Sequence, residues 1–117
     1  MAHNAIAPKP TTRLCHHRLQ VWHYSIELVR LVKAAPIGDR ELRDQAERAC
    51  RSTALNIAEG AALEGAAKRR HFKIARASGV ETVAAYELAG ALGEPVPVAE
   101  VTRLEIIVVS MLCGLIR

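Results

Sequence analysis

Turn residues gather at three places in this chain: Pro36-Ile37-Gly38-Asp39, Gly60 to Gly65, and Gly93-Glu94-Pro95-Val96-Pro97. Between and beyond them lie four stretches whose apolar residues recur at spacings of three and four, the period of a helix and not of a strand. Four amphipathic helices joined by short connections leave few ways to fold. The expected architecture is an all-α, antiparallel up-down-up-down four-helix bundle. No strand candidate and no internal repeat competes with it.

The first helix is expected from about Leu19 to Ala34, with Leu19, Trp22, Ile26 and Val29 on its inner face. The second follows Asp39, a residue suited to cap a helix start, and carries Leu42, Ala46, Ala49, Thr53 and Ile57 inward. Its outer face shows two charge ladders, Arg40–Asp44–Arg48 and Arg43–Glu47–Arg51, of the kind that supports an exposed helix. Gly60 is expected to end it in the left-handed conformation. The third runs from about Ala66 to Leu92 on a stripe of Phe72, Ala75, Gly79, Thr82, Tyr86 and Ala89. The fourth begins near Pro97 and turns Val101, Leu104, Val108, Leu112 and Leu115 inward. Residues 19–117 thus form the bundle. Residues 1–18, with two prolines in MAHNAIAPKPTTR and no apolar core of an export signal, read as a flexible tail.

The fourth helix has more apolar surface than a small bundle can cover. From Ile106 to Ile116 only Ser110 and Gly114 interrupt the run. A helix apolar all round needs cover on every side, so Ile106, Ile107, Val109, Cys113 and Ile116 are read as a subunit interface. Leu55, alone on the charged side of the second helix, is read as an ordinary surface residue. The run is far short of the roughly 20 residues of a membrane span, and no membrane association is expected.

Charge is distributed unevenly. The chain has 16 basic and 12 acidic residues, a net charge of +4. Lys68, Arg69, Arg70, Lys73 and Arg76 occur with no acid between Ala66 and Val80, whereas Glu81, Glu87, Glu94, Glu100 and Glu105 face Arg103 alone until the terminal Arg117. Arg69, Lys73 and Arg76 share a stripe beside the core. Such a face attracts phosphates; it also suits a solvated surface or pairing with the acidic part of a neighbouring subunit. Arg48 and Arg51 are further cationic candidates. Aromatics make up only 3% of the chain, and none interleaves with the cations, so stacking on bases is not expected.

Catalytic chemistry finds little support. Ser52, Asn56 and Glu59 flank the inner stripe of the second helix, with Glu81 expected to face them, but no nucleophile and base are paired. These four are read as a structural polar network. His23 and Glu27 are four apart, yet the Glu-x-x-His motifs that a di-metal bundle needs on further helices are absent. Gly60 to Gly65 lacks the ending of a phosphate-binding loop. Cys15, Cys50 and Cys113 have no metal-binding spacing and suit reduced thiols in a cytoplasm. No cofactor, metal or small-molecule substrate is expected.

The segment from Leu42 to Gly60, LRDQAERACRSTALNIAEG, resembles the signature of the bacterial four-helix bundle proteins encoded in intervening sequences of 23S ribosomal RNA genes. Asn56-Ile57-Ala58-Glu59-Gly60 is its most specific element, with Gln45, Arg48, Ala49 and Ser52 in register. Leu19-Gln20-Val21-Trp22, the run from Phe72 to Ser78 with Glu81, and Met111-Leu112-Cys113-Gly114-Leu115-Ile116 agree as well. Ala35, His71 and Ala77 depart from the family's pattern, which often has aromatics at the first two and glycine at the third. The resemblance implies a left-handed antiparallel bundle assembled into pentameric rings, without enzymatic activity. It also implies kinship with accessory proteins of diversity-generating retroelements, whose pentamers offer basic surfaces to RNA and a reverse transcriptase. The expected function is that of an oligomer binding structured RNA or a ribonucleoprotein through a repeated basic surface. The alternative is an oligomeric protein scaffold with no nucleic-acid role.

Overall fold

Four helices, α1 (Gln20–Ala34), α2 (Arg40–Ala61), α3 (Gly65–Ala91) and α4 (Val98–Ile116), make up the computed structural model, which describes residues 13–117. Among the described residues there is no strand. Most of the expected tail, residues 1–12, lies outside the described residues. Its last part, Cys15–Arg18, forms a single 3₁₀ turn ahead of α1.

The helix boundaries follow from local chemistry. Asp39 is extended and its carboxylate accepts a hydrogen bond from the Leu42 amide at 3.0 Å, capping α2. Gly65 and Gly93 take positive φ, 59° and 91°, which lets the chain turn into α3 and out of it with no Cβ penalty. Gly60 does otherwise than expected. It stays helical and buried, and a Cβ there would stand 2.8 Å from the Phe72 ring. Its smallness serves close approach of α2 and α3, and the break falls two residues later, at Ala62–Glu64.

Each helix packs on two neighbours in the cyclic order α1–α2–α3–α4, and the diagonal pairs make no close contact. The bundle is therefore up-down-up-down. Its core has two parts. Leu28, Val32, Ile37, Tyr86 and Val101 fill the end that holds the α1–α2 and α3–α4 connections. Val21, Ile57, Phe72, Val108 and Leu112 fill the other. At the first end the Glu94 carboxylate accepts the amides of Gly38 and of Asp39, the latter at 2.9 Å, and so ties the two connections together. The fully buried Tyr86 hydroxyl donates to the Ala35 carbonyl at 2.8 Å, closing the C-terminus of α1.

The stripe expected on α3 is buried in full, and that on α2 is buried except for Leu42 at its margin. On α1 the innermost column is Val21, Ser25, Leu28 and Val32, one position from the expected one. Both columns are largely apolar. Ser25 can enter because its hydroxyl donates to the Trp22 carbonyl at 2.6 Å, while the bulky Trp22 stays at the margin, edge-on to His16 at 4.5 Å. On α4 the inner column is Val101, Glu105, Val108 and Leu112, so an acid stands where Leu104 was expected. The ladders on α2 do not close: among the described residues the sole ion pair within 4 Å is His71–Glu59. Arg43 instead donates to the carbonyls of Ile37 and Gly38, at 3.2 and 3.1 Å, because these stand unpaired beside it in the connection.

Candidate functional site

Three polar features rise above this scaffold. The first is a seam between α2 and α3. The Ser52 and Ser78 hydroxyls meet at 2.9 Å. The Asn56 amide donates to the Ser52 carbonyl at 2.9 Å, and the Asn56 Oδ1 stands 2.8 Å from Nδ1 of His71. With the amide nitrogen engaged by Ser52, Oδ1 is the acceptor, so Nδ1 of His71 carries the proton. The other ring nitrogen lies 3.6 Å from the Glu59 carboxylate, which is mostly exposed. Beneath the seam the buried Thr53 hydroxyl donates to carbonyls on both helices, Ala49 at 3.1 Å and Ala75 at 3.2 Å.

Ser52, Asn56 and Glu59 thus form a chain of contacts, joined by two residues that the spacing argument left out, Ser78 and His71. Glu81 does not belong to it. It is exposed on α3, one turn past Ser78, where no polar group of α2 meets it. The seam's members are engaged with one another or with backbone, and none is placed as a nucleophile beside a base.

The second feature is cationic. Arg69, Arg70 and Lys73 line one open depression of about 480 Å³ on α3, with Ala66 ahead of them and Ile74 and Ala77 beyond. All three are exposed, and no acid lines the depression. The other cationic candidates lie elsewhere. Lys68 is half-buried at the start of α3. Arg76 turns toward α4, its guanidinium 3.6 Å from the Cys113 sulfur. Arg48 is exposed on α2, and Arg51 borders a cleft with Val29, Val32 and Lys33 on α1.

The third feature escaped the sequence reading. Glu105 is 2% exposed, and neither carboxylate oxygen has a hydrogen-bond partner. Burial pushes its carboxyl up to about 7. The carboxylate lies against Gly79, where any Cβ would overlap it, at the floor of an apolar groove of about 300 Å³ between α3 and α4. Val80, Val83, Ala84, Ile106 and Val109 line that groove, and Val80 and Ile106 are 57% and 60% exposed. Of the expected interface residues, Ile106 and Val109 therefore share one groove. Cys113 meets Arg76, Ile116 packs at the margin of the second core cluster, and Ile107 is half-buried. The heptad-like spacing of Val101, Glu105, Val108 and Leu112 carried the signal for the buried acid.

Two further reactive side chains are engaged. Nε2 of His23 lies 3.0 Å from the His17 carbonyl, within the turn before α1. The Cys50 thiol is buried against the Glu47 carbonyl, and burial pushes it up to about 11, away from nucleophilic use. Among the described residues no three His, Cys, Asp or Glu side chains gather as a metal site. None of the described helices is long and apolar enough to cross a membrane.

These features define a small helical-bundle protein whose polar side chains join helices and whose densest run of cations without acids lies in the first half of α3. The sequence profile of the 23S rRNA-intervening sequence proteins matches residues 17–94, and the chain belongs to that family. The match takes in α1, α2 and α3, and α4 lies beyond it. Comparison with curated proteins finds no match.

Proposed function

We propose that this protein is a non-catalytic homo-oligomer that binds the phosphate backbone of structured RNA, free or within a ribonucleoprotein. The observation that carries the reading is the depression formed by Arg69, Arg70 and Lys73, three exposed cations with no acid among them. Guanidinium and ammonium groups so clustered release counterions when they meet phosphates. Ile74 and Ala77 give the depression no base-reading group, so recognition follows the shape and charge of the RNA. One such patch binds weakly; repetition around an oligomer raises affinity through avidity. The three free cysteines fit a reducing cytoplasm as the place of action.

The test is fluorescence anisotropy of a labelled, structured RNA against the purified protein, at low and moderate salt. The triple variant R69A/R70A/K73A should bind at least about tenfold more weakly at low salt, since each lost phosphate contact removes counterion release. Arg103→Ala, an exposed cation on α4, should bind as the parent does. Equal binding by the triple variant and the parent would remove the depression from the RNA site. If the parent ignores RNA at every salt concentration, the protein-scaffold reading replaces this one.

A further inference from the structure

The α3–α4 face carries two unmet demands. Glu105 is a buried acid with no donor. Arg76 is a half-buried cation whose hydrogen bond goes to the Cys113 sulfur at 3.6 Å, a weak acceptor. Both lie on the flank where α3 meets α4, but within one copy they point apart. Arg76 reaches toward Cys113, near the C-terminal end of α4, and Glu105 lies two turns earlier in that helix, against Gly79. Around Glu105 the groove is largely apolar, and two of its lining residues, Val80 and Ile106, stand mostly exposed. The charged residues of the groove itself are both acids, Glu87 and Glu105. A surface that offers an acceptor without a donor, a donor without a good acceptor, and exposed apolar side chains beside the acceptor is complementary to itself.

We propose that the α3–α4 groove is the interface between copies of this chain, and that Arg76 of a second copy enters it to pair with Glu105. The inference rests on the oligomeric part of the reading above and not on RNA binding. Charge decides the occupant. A wholly apolar partner would leave the Glu105 oxygens unpaired, at the cost that buried polar groups carry. A second copy brings a guanidinium together with matching apolar residues. Contact between two different patches of the same chain is heterologous, and such contacts close into rings when the rotation between copies permits. The Arg69–Arg70–Lys73 depression is lined separately from the groove and stays open to RNA.

The experiment measures protein alone, by sedimentation velocity across a dilution series, with circular dichroism as a check on helix content. The parent should be larger than a monomer. Ile106→Asp, at an exposed position, should be a folded monomer. Glu105→Gln and Arg76→Ala should each weaken association at least about tenfold, and the double variant no more than either alone, the signature of a pair. R69A/R70A/K73A should keep the parent's mass. If that triple variant fails to bind RNA, or binds it normally, the assignment of the groove is untouched. A monomeric parent, or Ile106→Asp with the parent's mass, would overturn the proposal. So would additive effects of Glu105→Gln and Arg76→Ala. If either of these variants unfolds, Val80→Asp, exposed on the opposite wall, decides the matter by the same criterion as Ile106→Asp.

Discussion

Glu105 is the residue that departs furthest from the logic of a bundle core. Its neighbours in the inner column of α4 are Val101, Val108 and Leu112, and a leucine there would pack without leaving an acceptor unpaired. Its carboxyl is raised from the ordinary 4.5 to about 7 by burial alone. In the isolated chain the folded state therefore keeps this proton through a range in which the unfolded state has lost it. The contribution to stability is greatest below the ordinary carboxylate range and falls as pH rises toward 7. A displacement of this size amounts to roughly 3 kcal/mol. The check is urea unfolding of the parent between pH 5 and 8, diluted until it is dissociated, beside Glu105→Gln under the same conditions. The first should lose stability as pH rises and the second should lose markedly less. Parallel pH profiles would mean that the acid is solvated. The sequence made this residue hard to read because Leu104 offered a plausible inner position one residue away. Hydrophobicity favours the leucine, whereas the spacing of the column selects the acid. Gly79 makes room for it: the absence of a Cβ on α3 leaves the space that the carboxylate fills.

At the level of elements, periodicity located helices better than it located faces. α3 was legible down to the residue because its stripe, from Phe72 to Ala89, keeps alternating spacings of three and four without a break. α1 was less so, because two adjacent columns are apolar and a satisfied serine decides between them. The polar seam was legible in its α2 half, where Ser52, Asn56 and Glu59 recur on one flank. Its α3 half depends on which residues of a second helix stand opposite, and a linear pattern does not contain that. His71 and Ser78 occupy those places, and Glu81 is carried past them. The connections hold a further contact that spacing could not show, the carboxylate of Glu94 on the amides of Gly38 and Asp39, more than fifty residues away in sequence. A carboxylate accepting two amides stabilises both ends it joins. Glu94→Ala should lower the free energy of unfolding by about 1.5–3 kcal/mol, read from denaturant midpoints with an unchanged slope. Asp44→Ala, exposed on α2 and away from the groove, should change it by less than about 0.5 kcal/mol. Equal effects would mean that Glu94 is merely a surface charge.

For the whole molecule, the distribution of charge and apolar surface separates two tasks. The first half of α3 presents cations to solvent, and its second half, with α4, presents the apolar groove. If copies associate through the groove, each adds one cationic depression to a common surface, and RNA long enough to touch several is held by all of them. Affinity then depends on assembly even though no interface residue meets RNA. Ile106→Asp leaves every cation in place and adds one negative charge, so a loss of RNA affinity that the uncharged Ile106→Asn shares reports on avidity. The expected loss is one to two orders of magnitude for a long structured RNA and little for a hairpin that spans a single depression. Salt distinguishes the two causes of weak binding. R69A/R70A/K73A should flatten the dependence of log affinity on log salt by about 2–3 for each copy engaged. Ile106→Asp should flatten it only to the slope of a single copy. Were Ile106→Asp to bind long RNA as tightly as the parent, one depression would suffice, and assembly would serve some purpose other than binding.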